Sequence, residues 1–130
     1  MTIDLWMLVA STLLCLLMPF VAVTGLMATP GGAVWGFGNR DTPFELAPWI
    51  GRARRAHANM VENLAPFAVL VLVAHVAGKA NATTALGAEI FLVARIAHPI
   101  VYVIGIPVVR TLVFSVGWVG EVLILLQLFR

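Results

Sequence analysis

The chain has 130 residues, of which 62% are hydrophobic and only 11% are charged, and its formal net charge is +2. Water-soluble domains typically carry about 25% charged residues and about 45–50% apolar residues. A water-soluble chain of this length cannot bury so much apolar surface in one core. The eight basic residues are also too few and too dispersed for a nucleic-acid interface. The composition therefore predicts an integral membrane protein of the all-α class and excludes a nucleic-acid partner.

Four long apolar segments are predicted to cross the membrane as helices. The first, residues 3–27, is too long for a signal peptide and lacks a basic leader. Pro19 is expected to kink this helix. A long loop rich in glycine and proline follows, and we predict no helix packing at its Gly32 and Gly36, because their GxxxG spacing lies outside any apolar segment. The other helices are predicted at 49–77, 85–104 and 108–129, which makes a four-helix bundle in one domain.

Polar side chains at membrane depth are concentrated on the second and third helices. At about 100° per residue, one sector of the second helix carries a polar stripe that consists of Arg52, Arg55, Asn59 and Glu62. Arg54 and His57 fall outside this stripe. A shorter stripe on the third helix consists of Arg95, His98 and Tyr102. Because arginine outnumbers glutamate in these stripes, and guanidinium groups pair well with carboxylates, we predict a cavity that binds an anion.

A second interpretation of the same charges is purely structural. Arg55 could form a buried ion pair with Glu62, or Arg95 with a neighbour's Glu62, and so fix the register of the helices, although such pairs add little net stability. Glu89 and Glu121 are expected to face neighbouring helices or interfacial water. Cys15 is the only cysteine, so an intrachain disulfide and a thiolate metal site are excluded, and we predict no bound metal.

The distribution of basic residues near the helix ends predicts the orientation in the membrane. Five of them, namely Arg40, Arg52, Arg54, Arg55 and Arg110, lie on the side of the first and third connections. Only Lys79 and Arg130 lie on the other side. We therefore expect the first and third connections in the cytoplasm and both termini outside.

Three motifs resemble those of a known family. The second helix carries R-A-H-x-N-x-x-E-N from Arg55 to Asn63, followed by Pro66 and Phe67. The third helix carries A-R-I-A-H-P-I-V-Y, and the fourth begins near Arg110-Thr111. This order of motifs resembles the MAPEG family, the membrane-associated proteins in eicosanoid and glutathione metabolism, and specifically its small bacterial members.

The resemblance implies a homotrimer in a bacterial inner membrane, with glutathione as co-substrate between adjacent subunits. It implies that Arg55, Asn59 and Glu62 hold the tripeptide and that Arg95 and Tyr102 contribute from the third helix. Arg110 is then the catalytic residue beside the thiol, because a neighbouring cation favours the nucleophilic thiolate. The polar stripes add Arg52 and His98 to the ligand-binding set. Phe114 departs from the family pattern, because some members have a tyrosine there.

The predicted function is a glutathione-dependent membrane enzyme of the transferase or peroxidase type. Its second substrate is expected to be a lipophilic small molecule that arrives from the membrane lipid. The alternatives are a small transporter or channel lined by the polar stripes, and a non-catalytic membrane scaffold of the same fold. The apolar run from Phe67 to Ala74 argues against conduction, because the polar residues crowd one half of the membrane.

Overall fold

The computed structural model describes all 130 residues, Met1–Arg130, and is entirely helical. Its helices are α1 (Ile3–Met27), α2 (Gly32–Phe37), α3 (Pro48–Val76), α4 (Ala82–Ile104) and α5 (Pro107–Leu128). All except α2 are long and apolar enough to cross a membrane. The predicted all-α fold class with four membrane-spanning helices is therefore confirmed, and α1 has the predicted bounds.

Local sequence signals explain where α4 begins and ends. The Asn81 side chain accepts hydrogen bonds from the backbone N–H groups of Thr83 (2.8 Å) and Thr84 (3.2 Å). The Thr84 hydroxyl in turn accepts the Asn81 backbone N–H (2.8 Å), which completes a capping box. This box starts α4 three residues before the predicted boundary at residue 85. Gly105 has a φ of 92° and ends the helix in the left-handed conformation that suits glycine.

The predicted long loop between α1 and α3 contains the short helix α2, which corrects the sequence prediction. Gly32 and Gly36 are buried on this helix and face Leu26 at the end of α1. A methyl group on Gly32 would overlap the Leu26 backbone carbonyl oxygen. The prediction of no helix packing at these glycines is therefore wrong, because close approach of two backbones needs small residues but no apolar segment of membrane-spanning length.

Close packing of α4 against α5 gives the bundle its tightest contact. Gly87 and Gly120 face each other, and a methyl group on either would overlap the backbone carbonyl oxygen of the other. Small residues at such a crossing let the two backbones approach closely. In the interior, the rings of Phe67 on α3 and Phe91 on α4 stack at 3.8 Å between centroids, and both are fully buried. These contacts hold α3, α4 and α5 together around the polar groups described below.

Candidate functional site

The three helices α3, α4 and α5 enclose a recess near the turn between α4 and α5. Its volume is about 290 Å³, and its walls consist of Asn59, His98, Tyr102, Arg110, Thr111 and Phe114. We refer to it as the Arg110 recess. Four of the predicted site residues, Asn59, His98, Tyr102 and Arg110, are thus brought together although they come from three different helices.

Arg110 is the one arginine on the wall of this recess. Its guanidinium carbon lies 4.7 Å from the centroid of the Tyr102 ring, which is a cation–π distance. His98 packs edge-on against the same ring, with 5.4 Å between centroids. The Tyr102 ring therefore holds Arg110 and His98 in fixed positions, and the recess presents a preorganised positive charge.

Arg95 lies beneath the Arg110 recess rather than on its wall. It is only 1% exposed, and its guanidinium group lies between the rings of Phe91 (5.0 Å) and Phe114 (5.1 Å). Its Nη1 donates a hydrogen bond of 3.1 Å to Oδ1 of Asn59. Because this bond occupies the Asn59 oxygen, the Asn59 amide nitrogen is left to donate to a ligand. Arg95 is thus placed to orient Asn59, and not to touch a molecule in the recess.

The remaining members of the predicted stripe lie outside the recess. Arg52 donates from Nε to the Val103 carbonyl oxygen at 2.8 Å, which ties α3 to the end of α4. Arg55 and Glu62 are exposed on α3 and take part in none of the side-chain hydrogen bonds of that helix. The alternative of a buried ion pair between Arg55 and Glu62 is therefore wrong within one chain, because both side chains are exposed. The pairing of Arg95 with a neighbour's Glu62 stays a prediction.

A second recess lies next to the first, between α3 and α5. Its volume is about 300 Å³, and its walls consist of Asn63, Pro66, Phe114, Ser115, Trp118 and Glu121. We refer to it as the Glu121 recess. Glu121 is only 6% exposed, so of its two expected surroundings it has the neighbouring helices and not interfacial water. Helical periodicity could not reveal this, because burial depends on how closely α5 packs against α4.

A further group of cations lines a cleft of about 370 Å³ at the same end of the bundle. Its basic members are Arg40, Arg54 and His57, and Pro19, Ala22, Val23 and Leu26 of α1 form its apolar part. Trp35 of α2 lies between Arg40 and Arg54, at 5.7 Å and 5.9 Å from their guanidinium carbons. In the sequence, only the spacing of three between Arg54 and His57 indicated this cluster. Arg40 is distant in sequence, and the fold of the first connection brings it to the same cleft.

Comparison with known proteins identifies the family. The family model of the MAPEG family matches residues 5–130. The chain belongs to the MAPEG family. The match includes all four membrane-spanning helices and every motif on which the predicted resemblance depended, so that prediction is confirmed.

One curated MAPEG relative is similar to part of the chain. It is microsomal glutathione S-transferase 1 of Bos taurus, which is 37% identical over 70 residues. The aligned segment covers 53% of this chain and 45% of the relative, so the chain matches slightly less than half of that protein. The family match and the four membrane-spanning helices together show an integral, multi-pass membrane protein.

Proposed function

We propose that the protein binds glutathione and activates its thiol for attack on a lipophilic electrophile or hydroperoxide. The observation that carries this proposal is the Arg110 recess, where a fixed guanidinium group lies opposite an oriented Asn59 amide. A free thiol has a pKa of about 8.5, and a neighbouring cation lowers it toward the nucleophilic thiolate. Arg110 can supply this charge without exchanging a proton itself, because guanidinium groups stay protonated in proteins.

The polar stripes match the groups along the glutathione tripeptide. Glutathione has two carboxylates, which pair with guanidinium groups such as those of Arg52 and Arg55. Its ammonium group suits the exposed carboxylate of Glu62. Its amides can accept from the free amide nitrogen of Asn59, while His98 and Tyr102 border the thiol end beside Arg110. Arg95 then acts through Asn59 and not by direct contact.

The exposed position of Arg55 and Glu62 supports a site shared between subunits. In a homotrimer, one protomer can cover the exposed polar stripe of the adjacent protomer. The covering surface would be the cleft that is lined by Arg40, Arg54 and His57. Arg54 and His57 lie on α3 outside the stripe, and Arg40 lies on the first connection. Residues of α1 form the rest of the cleft. A carboxylate of glutathione would then lie between cations of two subunits. This arrangement places Arg54 and His57 in the site although the helical stripe excludes them.

The reaction differs with the second substrate. With a carbon electrophile, the thiolate sulfur forms a bond to carbon, and the displaced group leaves with its electron pair or remains as an adduct. With a hydroperoxide, sulfur attacks the terminal oxygen, the O–O bond breaks, and the departing alkoxide takes up a proton. A second glutathione then gives glutathione disulfide and water. In both cases the lipophilic partner reaches the site from the bilayer.

The interior packing disfavours transport as the function. Phe67 and Phe91 stack in the centre of the bundle and are fully buried, and Val71 and Ala74 continue the same core on α3. A conduction pathway would need polar groups through this region. Within this proposal, the protein lies in a bacterial inner membrane with its first and third connections in the cytoplasm, as the distribution of basic residues indicates.

The test is a glutathione titration of the detergent-purified protein, followed by ultraviolet thiolate absorbance and thermal stability. We expect saturable binding and a thiolate band with the wild-type protein. The Arg110→Ala variant should lose the band but still bind S-methylglutathione, which has no thiol to ionise. Arg130→Ala, which removes the exposed arginine at the end of the chain, is the matched control. Absence of binding at millimolar glutathione, or an unchanged band in Arg110→Ala, would contradict the proposal.

A further inference from the structure

The Glu121 recess contains a carboxyl group that the protein itself leaves without a hydrogen-bond partner. Glu121 is only 6% exposed, and its Oε1 is buried with no partner. It lies seven residues before the end of α5, which is about 10 Å along the helix axis and therefore within the membrane. Carboxylates at such depth are costly unless they are partnered, and they commonly mark binding or reaction sites.

Two other polar groups of this recess each have one hydrogen-bond donor engaged within the protein. The Asn63 amide nitrogen donates to the Asn59 carbonyl oxygen at 2.7 Å. The Ser115 hydroxyl donates to the Thr111 carbonyl oxygen at 3.0 Å. The acceptors available to a ligand are the Asn63 side-chain oxygen, the lone pairs of Ser115 and the free oxygen of Glu121. These acceptors, and above all the buried oxygen of Glu121, suit a molecule that brings a hydrogen-bond donor.

Arg95 supplies a counter-charge without occupying the free oxygen of Glu121. A methyl group on Gly117 would lie 3.2 Å from Nη2 and 3.3 Å from Nε of Arg95, so the guanidinium group rests against this glycine. Glu121 follows Gly117 by four residues and therefore lies on the same face of α5, one turn further along. Neither of these two Arg95 nitrogens has a hydrogen-bond partner. The Arg95 charge thus lies about one turn from Glu121, whose Oε1 remains available to a ligand.

The rest of the recess is apolar and reaches the lipid-facing surface. Pro66, Phe114 and Trp118 form its hydrophobic walls, and Trp118 is 59% exposed. A lipophilic molecule can therefore enter from the bilayer. Phe114 also forms a wall of the Arg110 recess, so a molecule bound here lies beside the place proposed for the glutathione thiol.

We propose that the Glu121 recess binds the hydroxyl or hydroperoxyl group of the lipophilic second substrate. The O–H group donates to Glu121, with Ser115 and Asn63 as further acceptors, and the apolar body lies along Phe114 and Trp118. The recess thereby selects lipophilic alcohols and hydroperoxides over analogues of the same shape that lack the donor. The substrate assignment rests on the proposed function, whereas the binding preference can be measured without glutathione.

The test compares two probes, one with a hydrogen-bond donor and one in which a methyl group replaces the hydroxyl hydrogen. Trifluoromethyl-labelled cumyl alcohol and the corresponding cumyl methyl ether are titrated against the full chain in detergent, and binding is followed by fluorine NMR. We expect the alcohol to bind about tenfold more tightly, because the ether would leave the buried Glu121 oxygen without a partner. In Glu121→Met the preference should disappear, so that the ratio of the two Kd values is about one. In Ser115→Ala the ratio should be intermediate. Glu89→Gln, which changes an exposed carboxylate of α4, should retain the preference.

The outcomes separate this proposal from the proposed function. Equal binding of alcohol and ether to the wild-type protein would overturn the donor-selective site. A preference that survives in both Glu121→Met and Ser115→Ala would also overturn it, since Ser115 is exposed and its loss should leave the fold intact. Glutathione binding is measured on the same samples. A donor preference without glutathione binding would contradict only the proposed function, and glutathione binding without a donor preference would contradict only this inference.

Discussion

The Arg110 recess and the Glu121 recess share Phe114 as a wall, yet their polar groups have opposite character. The first presents the Arg110 cation and the Asn59 amide nitrogen, which suit an anion or an acceptor. The second presents an unpartnered carboxyl oxygen and other acceptors. The helices α3 and α5 form part of both recesses. A shift of about one helical turn along the bundle therefore changes the available groups from a cation and a donor to acceptors. This division suits a bimolecular reaction, in which a thiolate and a lipophilic partner need different surroundings.

Arg95 connects the two recesses, and its removal is expected to have the largest effect. Arg95→Met breaks the hydrogen bond to Asn59 and leaves Glu121 buried without a counter-charge. Leaving a buried polar group without its partner typically costs about 1–3 kcal/mol, and more for a charged group. Thermal unfolding in detergent should show this loss, and the double variant Arg95→Met/Glu121→Met should recover much of it. A loss below about 1 kcal/mol in the single variant would show that Arg95 does not couple the two recesses.

Glu62→Gln is expected to weaken only the function of the Arg110 recess. The variant removes the carboxylate proposed to bind the glutathione ammonium group. Because one charged hydrogen bond is lost at an exposed position, we expect the Kd for glutathione to rise about tenfold. Calorimetric titration measures this change, and the fluorine NMR preference for the alcohol should stay unchanged. An unaltered Kd would remove Glu62 from the proposed site.

Phe114→Tyr is expected to have the smallest effect, and it tests the boundary between the recesses directly. The tyrosine ring can keep the contact with the Arg95 guanidinium, now 5.1 Å from the Phe114 ring. Its hydroxyl adds a hydrogen-bond donor at this boundary. We expect a few-fold gain in bound thiolate at neutral pH, because a donor stabilises the charged form. Unfolding temperature serves as the control, and a lower thiolate fraction would contradict this account of the boundary.

The number of membrane-spanning helices, most of their boundaries and the family could be predicted from the sequence because each depends on local or periodic signals. Apolar length determines which segments span a membrane, and the spacing of Arg55, Asn59 and Glu62 forms both a helical stripe and a recognisable motif. The start of α4 was placed three residues late, since the reciprocal bonds of Asn81 and Thr84 form a cap that apolar periodicity does not register. The helix α2 was missed because six residues carry too short a pattern.

The site could be predicted as a set of residues but not as a geometry. Helical periodicity put Arg95 in a stripe with His98 and Tyr102, and it could not tell that Arg95 is buried beneath the recess while the other two line it. The residues of the stripe on α3 likewise have different surroundings in the structure. Asn59 faces the recess, Arg52 binds a backbone carbonyl of α4, and Arg55 and Glu62 remain exposed.

The sequence by itself determined that this protein is a four-helix membrane protein of the MAPEG family, because hydrophobic length and motif spacing are properties of the chain. Only the tertiary structure decided what each polar side chain does. The close contact of Gly87 with Gly120 draws α5 onto α4, and this packing buries Glu121, traps Arg95 against Gly117 and separates the two recesses at Phe114. Such burial depends on the distance between helices, which no periodicity within a single helix contains.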